Sequence, residues 1–124
     1  MPNATLEEID AFLENVRRVI NKNKNNFFPR YSKKNKSTLL TLGYDWNTVV
    51  QEIVTLSAEN YSEGPIEEIG TINFVWIFGK IIKNQEVYIK IKLIGMNNLG
   101  EEIDTVYCMS FHFSEECLIY PYKK

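Results

Sequence analysis

The chain has only two cysteines, one histidine and six glycines in 124 residues, and each scarcity closes off a class of chemistry. Cys108 and Cys117 lack the CxxC spacing and have only His112 to join them, so no Cys/His zinc set can be assembled. A cytosolic context argues against a disulfide. Both cysteines fall in expected strands and read as core or near-core thiols. The glycines form no phosphate-binding loop, no HExxH is present, and the carboxylates show no paired spacing of the glycosidase kind. No stretch approaches the ~18 to 20 uninterrupted apolar residues of a membrane helix. Residues 1–20 carry Glu7, Glu8, Asp10 and Glu14 where a signal peptide would be apolar. The expectation is a cytoplasmic protein with no metal, no cofactor and no membrane contact.

What is present is a globular composition, 44% apolar and 24% charged. It suits one domain over residues 1–124, long enough to bury about two-thirds of its unfolded surface. The net charge of −2 does not by itself suggest nucleic acid, but the distribution does. Arg17, Arg18, Lys22, Lys24, Arg30, Lys33, Lys34 and Lys36 fall between Asn15 and Tyr44 with no Asp or Glu among them. The acidic groups concentrate later, at Glu63, Glu67, Glu68, Glu101, Glu102, Asp104, Glu115 and Glu116. Such asymmetry suggests one surface that meets phosphates and others that do not.

Thr5 and Glu8 form a capping box that opens a helix over about Leu6 to Asn21, its apolar stripe made by Ile9, Phe12, Leu13, Val16, Val19 and Ile20. Phe27 to Tyr31 reads as extended around Pro29. Ser37 caps a short helix through Thr41 that stops at Gly43, and Asp45 caps another that buries Val49, Val50, Ile53, Val54 and Leu56. Ser57 to Ser62 adds a further turn, and Gly64-Pro65 closes the helical half. The pattern then changes to strands at Thr71 to Ile82, Glu86 to Ile94, Ile103 to Phe113 and, briefly, Cys117 to Tyr120. Lys83 to Gln85 makes a hairpin turn, and Gly95 to Glu102 a longer loop. The fold class is α+β: N-terminal helices packed on an antiparallel sheet of about three to four strands.

Side chains alternate along a strand. Val87, Ile89, Ile91 and Leu93 therefore point one way, and Tyr88, Lys90 and Lys92 the other. In the next strand Tyr107, Met109, Phe111 and Phe113 are expected on one side, and Cys108, Ser110 and His112 on the other. A half-polar sheet face with an imidazole, a phenol and ammonium groups has the parts for phosphodiester chemistry without a metal. RNA cleavage needs one group to deprotonate the ribose 2′-OH and another to protonate the leaving 5′-oxygen. Imidazole exchanges a proton most readily near neutral pH, which nominates His112. Lys90 is the candidate for stabilising the extra phosphate charge, and Tyr88 for orienting the phosphate or acting as acid or base. Lys92 and Lys80 are further phosphate contacts, and Trp76, in phase with Phe78 and Lys80, a base-stacking platform. Phe27, Phe28 and Tyr31, interleaved with Arg30, Lys33 and Lys34, form a second candidate RNA contact.

The run Phe74-Val-Trp-Ile-Phe-Gly-Lys80, followed by Glu86-Val-Tyr-Ile-Lys-Ile-Lys92, Cys108-Met-Ser-Phe-His112 and Tyr120-Pro-Tyr-Lys123, resembles the C-terminal half of the MqsR-family toxins, as does Tyr61-Ser-Glu-Gly-Pro65 upstream. The resemblance covers roughly residues 40–124 by motif. It implies a RelE-like α+β fold and a metal-independent mRNA endoribonuclease of a type II toxin–antitoxin pair, neutralised by a cognate antitoxin. It also implies that Tyr88 and Lys90 belong to the active surface, and that His112 stands where the family has a basic residue after the final-strand Ser-Phe. Two positions depart from the pattern: Ser62 and Glu63 follow Tyr61 where some members have a lysine, and Ile77 follows Trp76 where some have a glutamine. The competing expectation is a toxin-fold relative that binds protein or nucleic acid without cutting it, its acidic residues Glu67, Glu68 and Glu101 to Asp104 imitating a phosphate backbone.

Overall fold

The computed structural model describes residues 3–96 and 102–124. The first helix, α1 (Leu6–Lys22), starts as the capping box requires: Thr5 Oγ1 accepts from the Glu8 N–H, and the Glu8 carboxylate accepts from the Thr5 N–H. Its apolar stripe is buried throughout, with Ile9 and Val16 at 0% exposure. A one-turn 3-10 segment leads into β1 (Phe27–Pro29). The second helix, α2 (Lys33–Leu42), begins earlier than Ser37. Ser32 is its cap, accepting from the Asn35 N–H, and Gly43 ends it at φ 72°, a left-handed conformation that glycine adopts without Cβ strain. Asp45 caps α3 (Trp46–Val54) by accepting from the Thr48 N–H.

Four strands follow: β2 (Tyr61–Glu67), β3 (Phe74–Ile82), β4 (Gln85–Met96) and β5 (Glu102–Phe113). With β1 they make a mixed five-stranded sheet in the order β1-β5-β4-β3-β2, antiparallel except for the β1–β5 pair. The α+β class holds, but the expected antiparallel sheet of fewer strands does not. Both additional strands lie at the sheet edges. β1 is only a tripeptide, and β2 runs through Gly64-Pro65, where the helical half was expected to close without a strand. Gly64 lies at φ 126°, and a Cβ there would stand 3.0 Å from the Val75 carbonyl oxygen across the ladder. The β3–β4 turn uses Lys83 and Asn84, both at positive φ, as a two-residue hairpin demands. The expected fourth strand at Cys117 to Tyr120 is absent: this stretch is irregular, and the Leu118 N–H goes to the Glu86 carboxylate rather than to a neighbouring strand. Residues 97–101, the body of the loop expected over Gly95 to Glu102, lie outside the described residues.

One face of the sheet carries the core. Phe78, Val87, Ile89, Ile91 and Phe111, all at 0% exposure, meet α1 and α3 there, and Phe12 stacks on Trp76 at 4.4 Å between centroids. Period 2 along β5 is interrupted between Cys108 and Ser110. Lys90 pairs with Ser110 but Ile91 pairs with Cys108, leaving Met109 as the extra residue of a β-bulge. The bulge inverts the facing of the residues just before it, Val106 to Cys108. Val106 and Cys108 consequently join the core with Phe111, and Tyr107 turns outward, the reverse of strict alternation from Tyr107 to Phe113.

Beyond the short β1, α2 takes over the exposed edge of β5. Asn35, with no exposed surface, donates from Nδ2 to the carbonyls of Arg30 (2.9 Å) and Met109 (3.3 Å), and its Oδ1 accepts from the Phe111 N–H at 3.0 Å. Thr38 Oγ1 accepts from the Phe113 N–H at 3.1 Å. Two helix side chains thus satisfy backbone groups that a further strand would otherwise have paired. The chain after β5 crosses the opposite sheet face over Gly79, where a Cβ would run into Tyr120 and Leu118. It then returns to the core, where the Tyr122 hydroxyl donates to the Ala4 carbonyl at 2.6 Å. No helix among the described residues is long and apolar enough to cross a membrane.

Candidate active site

The sheet face away from the helices is only partly covered, and β4 and β5 bring the candidate chemistry together on it. Tyr88 lies opposite His112 and Lys90 opposite Ser110, so the four side chains share one face on adjacent strands. The Tyr88 and His112 rings stack, with centroids 5.3 Å apart and planes 14° from parallel. His112 Nδ1 lies 3.0 Å from the Phe113 carbonyl oxygen. A carbonyl only accepts, so Nδ1 carries the proton in that bond, and in the neutral ring Nε2 keeps the lone pair. Lys90 has no carboxylate partner among the described residues.

These groups line a groove of about 810 Å³. Ser62 and Glu63 of β2 contribute to its lining, as do Lys34 of α2 and the segment from Ser114 to Ile119. Burial, with the Glu63 charge added, pushes the Tyr88 phenol above its ordinary value of 10.0. At neutral pH Tyr88 is therefore a proton donor and not a phenolate. Lys34 pairs with Glu115, and its hydrogen bond and charge hold the Glu115 carboxyl below the ordinary range, with a further contribution from His112. Glu86 anchors the groove's C-terminal segment, accepting from the Tyr120 hydroxyl at 2.7 Å and from the Leu118 N–H at 3.1 Å.

The remaining sequence candidates divide by position. Lys92 shares the face of Tyr88 and Lys90, but its ammonium is held by Glu68 at 2.6 Å and its side chain is 11% exposed. Arg30 reaches the same face at the β1 side, where its Nε donates to the Tyr107 hydroxyl at 3.4 Å. Lys33 is exposed in the first turn of α2 and is not part of the groove lining. Trp76 and Lys80 lie on the opposite face, which corrects the expectation for both. Trp76 is packed between Phe12 and Tyr61 in the core, out of reach of a base. Lys80 donates to Thr55 Oγ1 at 2.8 Å and pairs with Glu52 at 2.8 Å, so it fastens the end of α3 to β3. Period 2 correctly grouped Trp76, Phe78 and Lys80, but periodicity alone cannot say which face the helices cover.

Cys108 is likewise corrected from the polar face to the core, where burial pushes its thiol up to about 12, outside the reactive range. Glu63 was missed as a groove residue because β2 was not recognised as a strand. Register shifts between Tyr61 and Glu63 and between Glu63 and Ile66 break period 2 along β2, so alternation offered no clear signal. Among the described residues, no group of three or more His, Cys, Asp or Glu side chains is arranged to hold a metal ion. No family model, curated protein or solved structure matches the chain.

Proposed function

We propose that this chain is a metal-independent endoribonuclease, the mRNA-cleaving toxin of a type II toxin–antitoxin pair with a RelE/MqsR-like fold. The observation that carries the reading is the Tyr88–His112 stack beside Lys90 on the open sheet face. His112 Nε2 takes the 2′-OH proton as the 2′-oxygen attacks phosphorus. The P–O5′ bond breaks, leaving a 2′,3′-cyclic phosphate on one product. The protonated phenol of Tyr88 supplies a proton to the departing 5′-oxygen, and Lys90 compensates the charge gathering on the non-bridging oxygens. The protein acts in the cytoplasm on messenger RNA until a cognate antitoxin protein binds it.

A second reading is favoured by the carboxylates of Glu63, Glu115 and Glu116, which line the same groove. It is a non-catalytic module that receives a cationic protein segment. Incubation with messenger RNA in EDTA separates the two. Cleavage to cyclic-phosphate ends, reduced roughly 10²- to 10⁴-fold by His112→Ala, supports the nuclease; intact RNA leaves the binding module. Growth arrest on induced expression, relieved by co-expressing the neighbouring gene, tests the toxin assignment.

A further inference from the structure

A second feature of the open face lies toward β1, away from the Tyr88–His112 pair. Phe28 lies opposite Tyr107 in the parallel β1–β5 ladder. Phe27 packs against the core, so alternation turns Phe28 to the other side, where it is 54% exposed. Tyr107 reaches that side because of the Met109 bulge, its neighbours Val106 and Cys108 being fully buried. Arg30, in phase with Phe28, donates to the Tyr107 hydroxyl and holds its guanidinium carbon 5.8 Å from the ring centroid. Lys92 approaches the same ring at 5.4 Å, but Glu68 takes up its charge. Arg30 has no carboxylate partner among the described residues.

Two aromatic residues at paired positions on the open sheet face, with one uncompensated guanidinium over the Tyr107 ring, match what an unpaired nucleotide requires. A ring face receives the base and a cation receives the phosphate. We infer that Phe28, Tyr107 and Arg30 form a stacking subsite for single-stranded RNA, separate from the cleavage centre. The inference rests on the nuclease reading for its choice of ligand. On β4, Lys92 and Tyr88, the partners of Tyr107 and His112, are four residues apart, about 14 Å at the strand rise. One nucleotide does not bridge that separation, so the substrate is an oligonucleotide in an extended, unpaired form. Duplex RNA, whose bases are stacked internally, is excluded from the subsite.

The test is fluorescence anisotropy with a labelled single-stranded DNA of about eight nucleotides, which lacks the 2′-OH and cannot be cleaved by the proposed route. Phe28→Ala and Tyr107→Ala are each expected to weaken binding roughly 5- to 150-fold, the range for loss of a stacked base. Tyr107→Phe, which keeps the ring, retains most of the affinity. Arg30→Gln gives a shallower dependence on salt, by about one phosphate contact. Equal binding by wild type, Phe28→Ala and Tyr107→Ala overturns the subsite, as does wild-type preference for duplex or absence of binding. Binding that follows this pattern without RNA cleavage sustains the subsite and sinks the nuclease. Cleavage that depends on His112 while Phe28→Ala and Tyr107→Ala bind as wild type does the reverse.

Discussion

The Tyr120 hydroxyl donates to Glu86 Oε2 at 2.7 Å, tying the chain beyond β5 to the β4 end of the hairpin. The same carboxylate accepts from the Leu118 N–H, so one side chain holds two points of the segment that walls the groove. Burial acts to raise the Glu86 pKa, but these two hydrogen bonds, a further one from Ser114 and the Lys123 charge together outweigh it, leaving the carboxyl below its ordinary 4.5.

That depression sets a pH dependence. A carboxylate held below its unfolded value stabilises the fold fully above the unfolded value and loses the contribution as pH falls through the folded one. The C-terminal segment is therefore expected to loosen as pH drops below 4.5, before the sheet unfolds. Hydrogen exchange at Leu118, read by mass spectrometry, follows this directly. Glu86→Gln should show fast exchange already at neutral pH and lose the acid step; an unchanged acid step in that variant assigns it elsewhere.

Gly79→Ala tests the same crossing sterically. A Cβ at this position meets the Tyr120 ring and Leu118, while Gly79 has no positive φ to preserve. The expected cost is about 1–3 kcal/mol from overpacking. Limited proteolysis should show accelerated cleavage within residues 114–124 while the far-ultraviolet circular dichroism stays as in wild type.

Asn35→Ala removes three hydrogen bonds at once and leaves the Phe111 N–H and the Met109 carbonyl without their side-chain partner at the strand edge. A loss of about 2–4 kcal/mol in urea denaturation follows from the cost of unsatisfied buried groups. Asn35→Asp should fail to rescue it, because a carboxylate keeps the acceptor for Phe111 but loses the donors for Arg30 and Met109.

Tyr88→Phe separates ring from hydroxyl. It preserves the stack on His112 and removes the proton that the raised pKa keeps on the phenol. If Tyr88 is the acid, kcat on RNA falls roughly 10²-fold or more with KM little changed. A variant as fast as wild type removes the phenol from the reaction and leaves Tyr88 as packing for the imidazole.

Much of this arrangement was legible because local chemistry and tertiary structure agree. Thr5 with Glu8, Asp45 and Gly43 mark helix ends that the fold uses, and alternation along β4 put Tyr88 and Lys90 on one face. What escaped was decided by tertiary context. Lys33, Lys34, Asn35 and Lys36 precede the helix start expected at Ser37, yet they open α2, since Asn35 is buried to serve β5 and not to avoid water. β2 escaped because Gly64 and Pro65 look like an interruption, whereas the Gly64 backbone is needed for its close approach to β3. Cys108 and Tyr107 were placed on the wrong faces because a bulge leaves no local signature when the inserted residue, Met109, is itself apolar.

Met109 has a consequence for the part of β5 just before it. Drawing this residue into the ladder would slide the N-terminal part of the strand by one position and exchange its two surfaces. Tyr107 would be driven into the hydrocarbon interior and the Cys108 thiol would emerge beside Arg30, while Ser110 and His112 kept their orientation. The surface that would receive an RNA strand is therefore keyed by one supernumerary residue, and its two ends stay in phase only while that residue stays out of the ladder.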